Sequence, residues 1–333
     1  MPGQRQWKRF FQLVVAEDGS NTTAIDLSDF HVKFHITQAI TSRPCTAEIT
    51  VYNPSDETVN SISAPINQYV KDAHMKVIID AGYEERHSVI FQGDLWWKST
   101  GRESETDTYL RLIAASGDAA NQYAVVNKSL PAGASQSEAF DVVMDSMKDY
   151  GVGVCKRPTL SEAVLPRGKV FYGMARDVMQ GIADRNGFDW SYDPLGIVTI
   201  PKQGALPPAE TKKVVVLTPS TGLLGRPNIT ENGIKARTLL NPLIDFGGLV
   251  QIDQSLVQNP DYQTSYSAVN QNLPATGTMV AGDGLYLVKS REHTGDTRGD
   301  EWYTDIIAIG YSKGVQTPVS TEVYNFIPNT GAK

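Results

Sequence analysis

The hydrophobic period of this chain changes twice along its length, and this constrains the fold more than any single motif. Residues 31–36 alternate, which places Val32, Phe34 and Ile36 on one face of a predicted strand. Residues 138–147 carry apolar side chains at helical spacing, and strand-like segments return from residue 214. The sequence therefore predicts a mainly β protein that contains a small α+β module.

The N-terminal third is predicted to be almost entirely β. Alternating or buried-type segments end at turn residues, such as the sequence Asn-Pro-Ser at 53–55, and a short helical turn is predicted at 56–62. Gly93 is predicted to mark a bulge or bend. The predicted strands are residues 10–16, 31–36, 47–52, 75–80, 89–98 and 108–114.

The middle third is predicted to form two helices and a hairpin. Ser135 and Glu138 have the spacing of a capping box, which predicts a helix that starts there and ends at Gly151. A second helix is predicted over 173–185, stopped by Asn186 and Gly187, and a hairpin over 188–200. The side chains predicted to face inward are Phe140, Val143, Met144 and Met147 in the first helix and Met174, Val178, Met179 and Ile182 in the second.

The C-terminal third is predicted to be β again. Strand-like segments joined by Gly, Asn and Asp turns run over 231–242, 246–253, 283–295 and 300–310. We expect an exposed loop at 259–278, and residues 315–333 lack the heptad pattern of a coiled coil. The predicted organisation is a β-domain at 1–115, the module at 116–205, a linker at 206–213 and a second β-domain at 214–333.

Composition excludes several classes of protein. At 333 residues, two or three domains are expected, and a formal net charge of -7 argues against a general nucleic-acid binder. The sequence has no run of about 18 apolar residues, so no membrane span is predicted. The N-terminus is a poor signal peptide, so synthesis in the cytoplasm is expected, with Cys45 and Cys155 reduced and acting as small hydrophobes.

Histidines and glycines give no sign of a metal or phosphate site. His31 and His35 lie about 13 Å apart by strand rise, too far to share one metal, and are expected to face solvent. His74 and His87 have no nucleophile elbow nearby. Residues 151–153 lack the strand and third glycine of a phosphate-binding loop.

Carboxylates were the other candidates for chemistry. Residues 84–85 are expected to form a charged turn tip, and the tryptophans in Asp189-Trp190 and Glu301-Trp302 are expected to be core or interface residues beside surface carboxylates. The middle module offers Glu138, Glu162, Asp184 and Asp189 for acid–base catalysis, but these are assigned to a cap and to surface-like positions. We therefore predict no catalytic, cofactor-binding or metal-binding residues.

The order of these segments resembles a known family. Residues 34–55, the strand ends 79–83 and 90–94, the module, and the strand pairs 233–253 and 283–310 together resemble the baseplate hub proteins of Mu-like contractile-tailed bacteriophages. They are more distantly similar to the hub portion of type VI secretion spike proteins. The resemblance covers nearly the whole chain and rests on order and spacing.

The resemblance implies a non-enzymatic virion protein located in the baseplate of the tail. Such hubs are trimers with two tail-tube-like β-barrels per subunit, so that three subunits present a pseudo-sixfold ring. The implied partners are two further copies of the chain, a trimeric tail spike, the tail tube or a tube adaptor, the tape measure protein and baseplate wedge proteins. DNA would pass through the lumen without specific binding. Because no β-helix repeat follows residue 315, the spike would be a separate chain.

Three alternatives remain open. The first is a spike-adaptor or tube-cap protein of a long-tailed phage or of a phage-like injection particle. The second is a hub that cleaves peptidoglycan through its middle module. The third is a carbohydrate-binding β protein that uses Trp96, Trp97 and Trp190, although the adjacent Trp96 and Trp97 of a strand point to opposite faces, so that at most one of them can face a ligand.

Overall fold

The fold was analysed in a computed structural model. It describes residues 8–17, 24–39, 43–63, 75–194, 196–202, 214–230, 232–258 and 284–311. The predicted linker, the predicted loop at 259–278, His74 and the segment 315–333 lie outside these ranges. None of the helices within them has the length and apolar character needed to cross a membrane.

The protein is mainly β, as predicted. The strands are β1 Arg9–Glu17, β2 Ala24–Asp26, β3 His31–Ala39, β4 Thr46–Tyr52, β5 Met75–Tyr83, β6 Arg86–Arg102, β7 Thr108–Ala115, β8 Val125–Leu130, β9 Val154–Lys156, β10 Lys169–Met174, β11 Phe188–Asp193, β12 Gly196–Pro201, β13 Val214–Leu217, β14 Leu223–Thr230, β15 Gly233–Leu239, β16 Leu249–Ile252, β17 Leu285–Asp296 and β18 Trp302–Gly310. The α-helices are α1 Asp56–Ser61, α2 Asp118–Tyr123, α3 Gln136–Lys148 and α4 Ala175–Asn186.

One sheet of 13 strands runs through both the N-terminal and the C-terminal β regions. Its main path is β14-β15-β18-β17-β3-β4-β7-β6-β5-β1-β2, with β16 beside β17 and β13 beside β16. The two regions join where β3 pairs with β17 over seven residue pairs. The predicted β-barrel domains are not confirmed, because the sheets of the described residues are not closed barrels.

Strand β6 is the longest strand of the sheet and is interrupted by two bulges. Its first half pairs with β5 and its second half with β7, and each half contains one unpaired residue, Ile90 and Trp96. Such bulges bend a strand and increase its twist. The predicted bulge at Gly93 was therefore misplaced. A side chain there would clash, since a Cβ atom on Gly93 would lie 2.7 Å from the carbonyl oxygen of Ala115.

The bent sheet encloses a core that both regions share. Phe34 on β3 lies 5.5 Å, between ring centroids, from Phe11 on β1 and from Trp302 on β18. The indole Nε1 of Trp302 donates to the carbonyl of Gly82, 3.3 Å away. Arg9 donates to backbone carbonyls in the turn between β17 and β18. The apolar faces predicted for β3 and β4 are confirmed as part of this core.

A bulge in β17 changes which residues face inward. Val288 pairs with Ala308 and Ser290 with Ile307, so Lys289 is the extra residue. Tyr286 and Val288 therefore face the same interior as Arg291, although alternation would place 288 and 291 on opposite faces. A second apolar core forms around Tyr286 and Val288, separate from the one around Phe34.

The middle of the chain folds as two helices against small sheets. Ser135 and Glu138 form the predicted capping box, and Phe140, Val143, Met144 and Met147 are buried as predicted. In α4, Met179 and Ile182 are buried and Gly187 ends the helix, whereas Met174 is the half-buried N-cap. The predicted hairpin is β11–β12, with β9 added in parallel. Helix α2 and the antiparallel pair β8–β10 were not predicted from the sequence.

We predict that Ser135→Ala lowers the free energy of unfolding by about 1 kcal/mol. Ser135 Oγ accepts from the backbone N–H of Glu138 at 3.1 Å, and the Glu138 carboxylate accepts from the backbone N–H of Ser135 at 2.6 Å. Urea unfolding followed by circular dichroism measures the change. Ser129→Ala on β8 is the control, and an equal effect of the two substitutions would contradict the cap.

Candidate assembly surfaces

The two strand histidines pair with carboxylates of β17 instead of simply facing solvent. His31 Nε2 lies 2.7 Å from Asp296 Oδ1, and His35 Nε2 lies 2.7 Å from Glu292 Oε1. Both side chains lie on the outer face of the sheet, as predicted, and are 27% and 43% exposed. The sequence did not reveal their partners, because the pairing of β3 with β17 brings residues more than 250 positions apart into contact. His87 likewise lies 3.0 Å from Asp80 and stacks on Phe10.

These pairs belong to a charged outer face of the sheet. Across it, Arg111 contacts Glu48 at 3.4 Å, and His35 contacts Glu292. Further along, Arg237 donates two hydrogen bonds of 2.8 Å to Asp305. The hydrogen bond to Glu292 raises the pKa of His35, and the same bond lowers the pKa of Glu292. Most charges on this face therefore have a partner of opposite sign on a neighbouring strand.

A buried polar junction fixes the middle of the chain against the sheet. Gln38 donates to the carbonyl of Tyr192 at 3.0 Å and to Asp193 at 3.1 Å. Arg291 in turn donates to the side-chain oxygen of Gln38 at 2.6 Å, and its guanidinium lies 3.6 Å from Asp193. Because buried polar groups carry a large penalty when they lose their partners, this junction holds one relative orientation.

Asp189 also belongs to this junction. It is buried, so the expectation of a surface carboxylate was wrong, and it lies 3.9 Å from the buried ammonium of Lys289. Burial lowers the pKa of Lys289, and the nearby Asp189 opposes that shift. The bulge in β17 directs Lys289 toward Asp189, which periodicity alone does not reveal.

The remaining candidates for chemistry have structural partners or lie apart. Glu138 caps α3, Asp184 pairs with Lys202 at 2.8 Å, and Glu162 is exposed. Residues 84–85 form an exposed turn, as predicted. Within the described ranges, no three His, Cys, Asp or Glu side chains converge as metal ligands would. Both cysteines are free; Cys45 is buried and Cys155 is exposed.

The described tryptophans fall into a buried pair and an exposed pair. Trp190 and Trp302 are buried in cores, as predicted, so Trp190 is unable to bind a sugar. Trp96 and Trp97 are 36% and 41% exposed, respectively. The expectation that only one of them could face a ligand assumed a regular strand. Trp96 is instead a bulge residue, and both indoles reach solvent.

We predict that Asp189→Ala lowers the free energy of unfolding by about 3 kcal/mol, because it leaves Lys289 buried without its carboxylate. The matched control is Asp184→Ala, which removes an exposed partner of Lys202 and should change stability by less than about 1 kcal/mol. Urea unfolding of both variants measures this. Equal losses would show that the buried contact has no special weight.

We also predict a pH-dependent contribution from His35 and Glu292. The raised pKa of His35 adds stability that is fully present below its ordinary value of 6.5 and is lost as pH rises through the folded-state value. The lowered pKa of Glu292 adds stability that is present above its ordinary value of 4.5 and is lost in acid. Glu292→Gln should therefore destabilise more at about pH 5.5 than at about pH 8.5.

Thermal unfolding at the two pH values measures this difference, with exposed Glu162→Gln as the control. The same loss at both pH values would contradict the coupling between His35 and Glu292.

Comparison with known proteins assigns the fold. No protein-family model and no curated protein matches the sequence. Among solved structures, a 43 kDa tail protein of prophage MuSo2 from Shewanella oneidensis is 9% identical, with a TM-score of 0.54 over 90% of this chain and 97% of its own. A tail protein from Neisseria meningitidis is 10% identical, with a TM-score of 0.51 over 92% and 98%.

A third similar structure is an E. coli component of the type VI secretion system, described as structurally similar to the phage T4 tail proteins gp27 and gp5. It is 10% identical, with a TM-score of 0.52 over 90% of this chain and 77% of its own. All three are tail or secretion-system components. The chain thus has the fold of Mu-type phage tail proteins and of related type VI secretion components, which confirms the predicted resemblance at the level of the fold.

Proposed function

We propose that this protein is the structural baseplate hub of a contractile phage tail. In this role it forms a trimer in the virion, joins the tail tube to a separate trimeric spike and starts assembly of the tube. The observation that carries the proposal is the similarity of fold to a Mu-type prophage tail protein along 90% of the chain.

The arrangement of cores supports a ring built from repeated β units. One apolar core lies around Phe34 in the N-terminal β region and another around Tyr286 and Val288 in the C-terminal region. Three copies would thus supply six β units, which is the number needed to match a hexameric tube. The pairing of β3 with β17 fixes the two units of each copy relative to one another.

The middle of the chain would form a separate module outside the lumen. Its core contains Met144 and Met179, which are buried against α3 and α4 and are thus unable to line a channel. We propose boundaries near 116 and 205, since this part of the chain has an apolar core of its own. The buried junction around Gln38 and Asp193 joins it to the sheet. The tube or its adaptor, wedge proteins and the tape measure protein are further proposed partners.

A lumen that passes DNA should not bind it. The net charge of -7 supports this, because phosphate contacts depend on basic surfaces. We therefore propose that DNA passes through the lumen without specific recognition.

We predict three copies of the chain at the tip of the tube in the assembled particle. Cryo-electron microscopy of the particle measures this number directly. A count of six copies or of one copy would contradict the trimer. In isolation the chain is expected to be monomeric if its interfaces depend on partners.

We further predict that deletion of the gene stops tail assembly before the tube grows. Electron microscopy of lysates is the measurement, and tails of normal length that fail to infect would contradict a role in initiation. Purified protein should also leave peptidoglycan intact in a turbidity assay. Clearing that Glu138→Gln or Asp189→Asn abolishes would favour the peptidoglycan-cleaving alternative.

A further inference from the structure

The pair of strands β8 and β10, here called the ribbon, exposes an uncharged face. Its cross-strand pairs on that face are Val125 with Met174, Asn127 with Tyr172, and Ser129 with Val170. The opposite face carries Val126 and Phe171, which are buried against the helices. The ribbon therefore has one face in a core and one apolar face turned outward.

The most exposed apolar side chains of the described residues lie on the ribbon or next to it. Tyr172 is 77% exposed, Val170 66% and Val125 53%, and Val164, which bridges to Ser135 next to the ribbon, is 55% exposed. These four are the most exposed large apolar side chains of the described residues. A group of exposed apolar side chains on neighbouring strands is typical of an interaction site, whereas scattered apolar residues are normal on any surface.

The ribbon also has a free strand edge. Among the described strands, β10 pairs only with β8. Two-stranded sheets are only marginally stable, and an unpaired edge offers N–H and C=O groups to another strand. A strand added beside β10 would extend the sheet and place alternate side chains next to Val170 and Tyr172.

Positive charge borders this edge. Arg167 and Lys169 lie three positions and one position before Val170. The ammonium of Lys169 lies 4.8 Å from the ring centroid of Phe171, and its charge interacts with that of Arg185. None of these three has a carboxylate partner in the part of the chain that the structure describes, although most cations of the sheet face have one. The border is thus cationic on a chain whose net charge is negative. Complementarity requires carboxylates on whatever binds there.

We propose that the outer face of the ribbon and the free edge of β10 bind an extended segment of a different protein, apolar at alternate positions and flanked by carboxylates. The proposal rests on the hub function, since it assigns this contact to a neighbouring protein of the assembled tail. Main-chain hydrogen bonds would give affinity, and contacts with Val170 and Tyr172 would give specificity.

The test uses the full chain in assembled particles, with the photo-crosslinking residue p-benzoylphenylalanine in place of Tyr172. The expected product joins position 172 to a segment of another protein, with alternating apolar residues and nearby Asp or Glu. The control places the same probe at Asp149, an exposed residue at the end of α3, and should not yield that product.

A second variant tests the charge. Arg167→Glu combined with Lys169→Glu should lower the crosslinking yield from position 172 by at least about tenfold, because it sets carboxylates against carboxylates. The control Lys148→Glu, also on the surface of α3, should leave the yield unchanged. An unchanged yield in the double variant would overturn the charge complementarity.

Other outcomes separate this inference from the hub function. If the chain is present in the particle but position 172 crosslinks to nothing, to a second copy of the chain or to lipid, the inference fails and the hub function stands. If the chain is absent from the particle, both fail.

Discussion

The rest of the structure depends on the pairing of β3 with β17. Seven residue pairs join strands from opposite ends of the chain, and this contact makes one sheet of two β regions. Because the apolar face of β3 and the inward face of β18 pack on each other through Phe34 and Trp302, the pairing also creates the N-terminal core. Loss of this register would separate the two regions and expose apolar side chains on both.

Single-residue bulges control how the sheet is used. The bulge at Trp96 exposes two indoles, and the bulge at Lys289 sends an ammonium group to the buried Asp189. Past that bulge, Arg291 and His293 face the interior, and burial together with the charge of Arg291 lowers the pKa of His293 well below its usual value. The interior therefore contains a row of polar side chains from β17, namely Lys289, Arg291 and His293. Their positions depend on the register of strand pairing, because each of them needs one particular partner.

Charge distribution separates surfaces with different roles. On the sheet face, cations and carboxylates pair across strands, which leaves little net attraction for a charged partner. At the edge of β10, cations lie beside exposed apolar side chains. The first pattern is typical of a solvated sheet, and the second is typical of the border of an interface.

Local patterns in the sequence determined the fold class, the capping box at Ser135 and the buried faces of β3 and α3, since each depends on residues a few positions apart. Tertiary structure alone decided the partners of His31 and His35, the burial of Asp189 and the exposure of both Trp96 and Trp97. Those outcomes depend on pairing register and on bulges. One inserted residue reverses the faces of a strand, and contacts across 265 positions leave no local signal. The order of strands along the chain was therefore enough to indicate the fold. The pairing of β3 with β17, which joins the two β regions into one open sheet, was visible only in the structure.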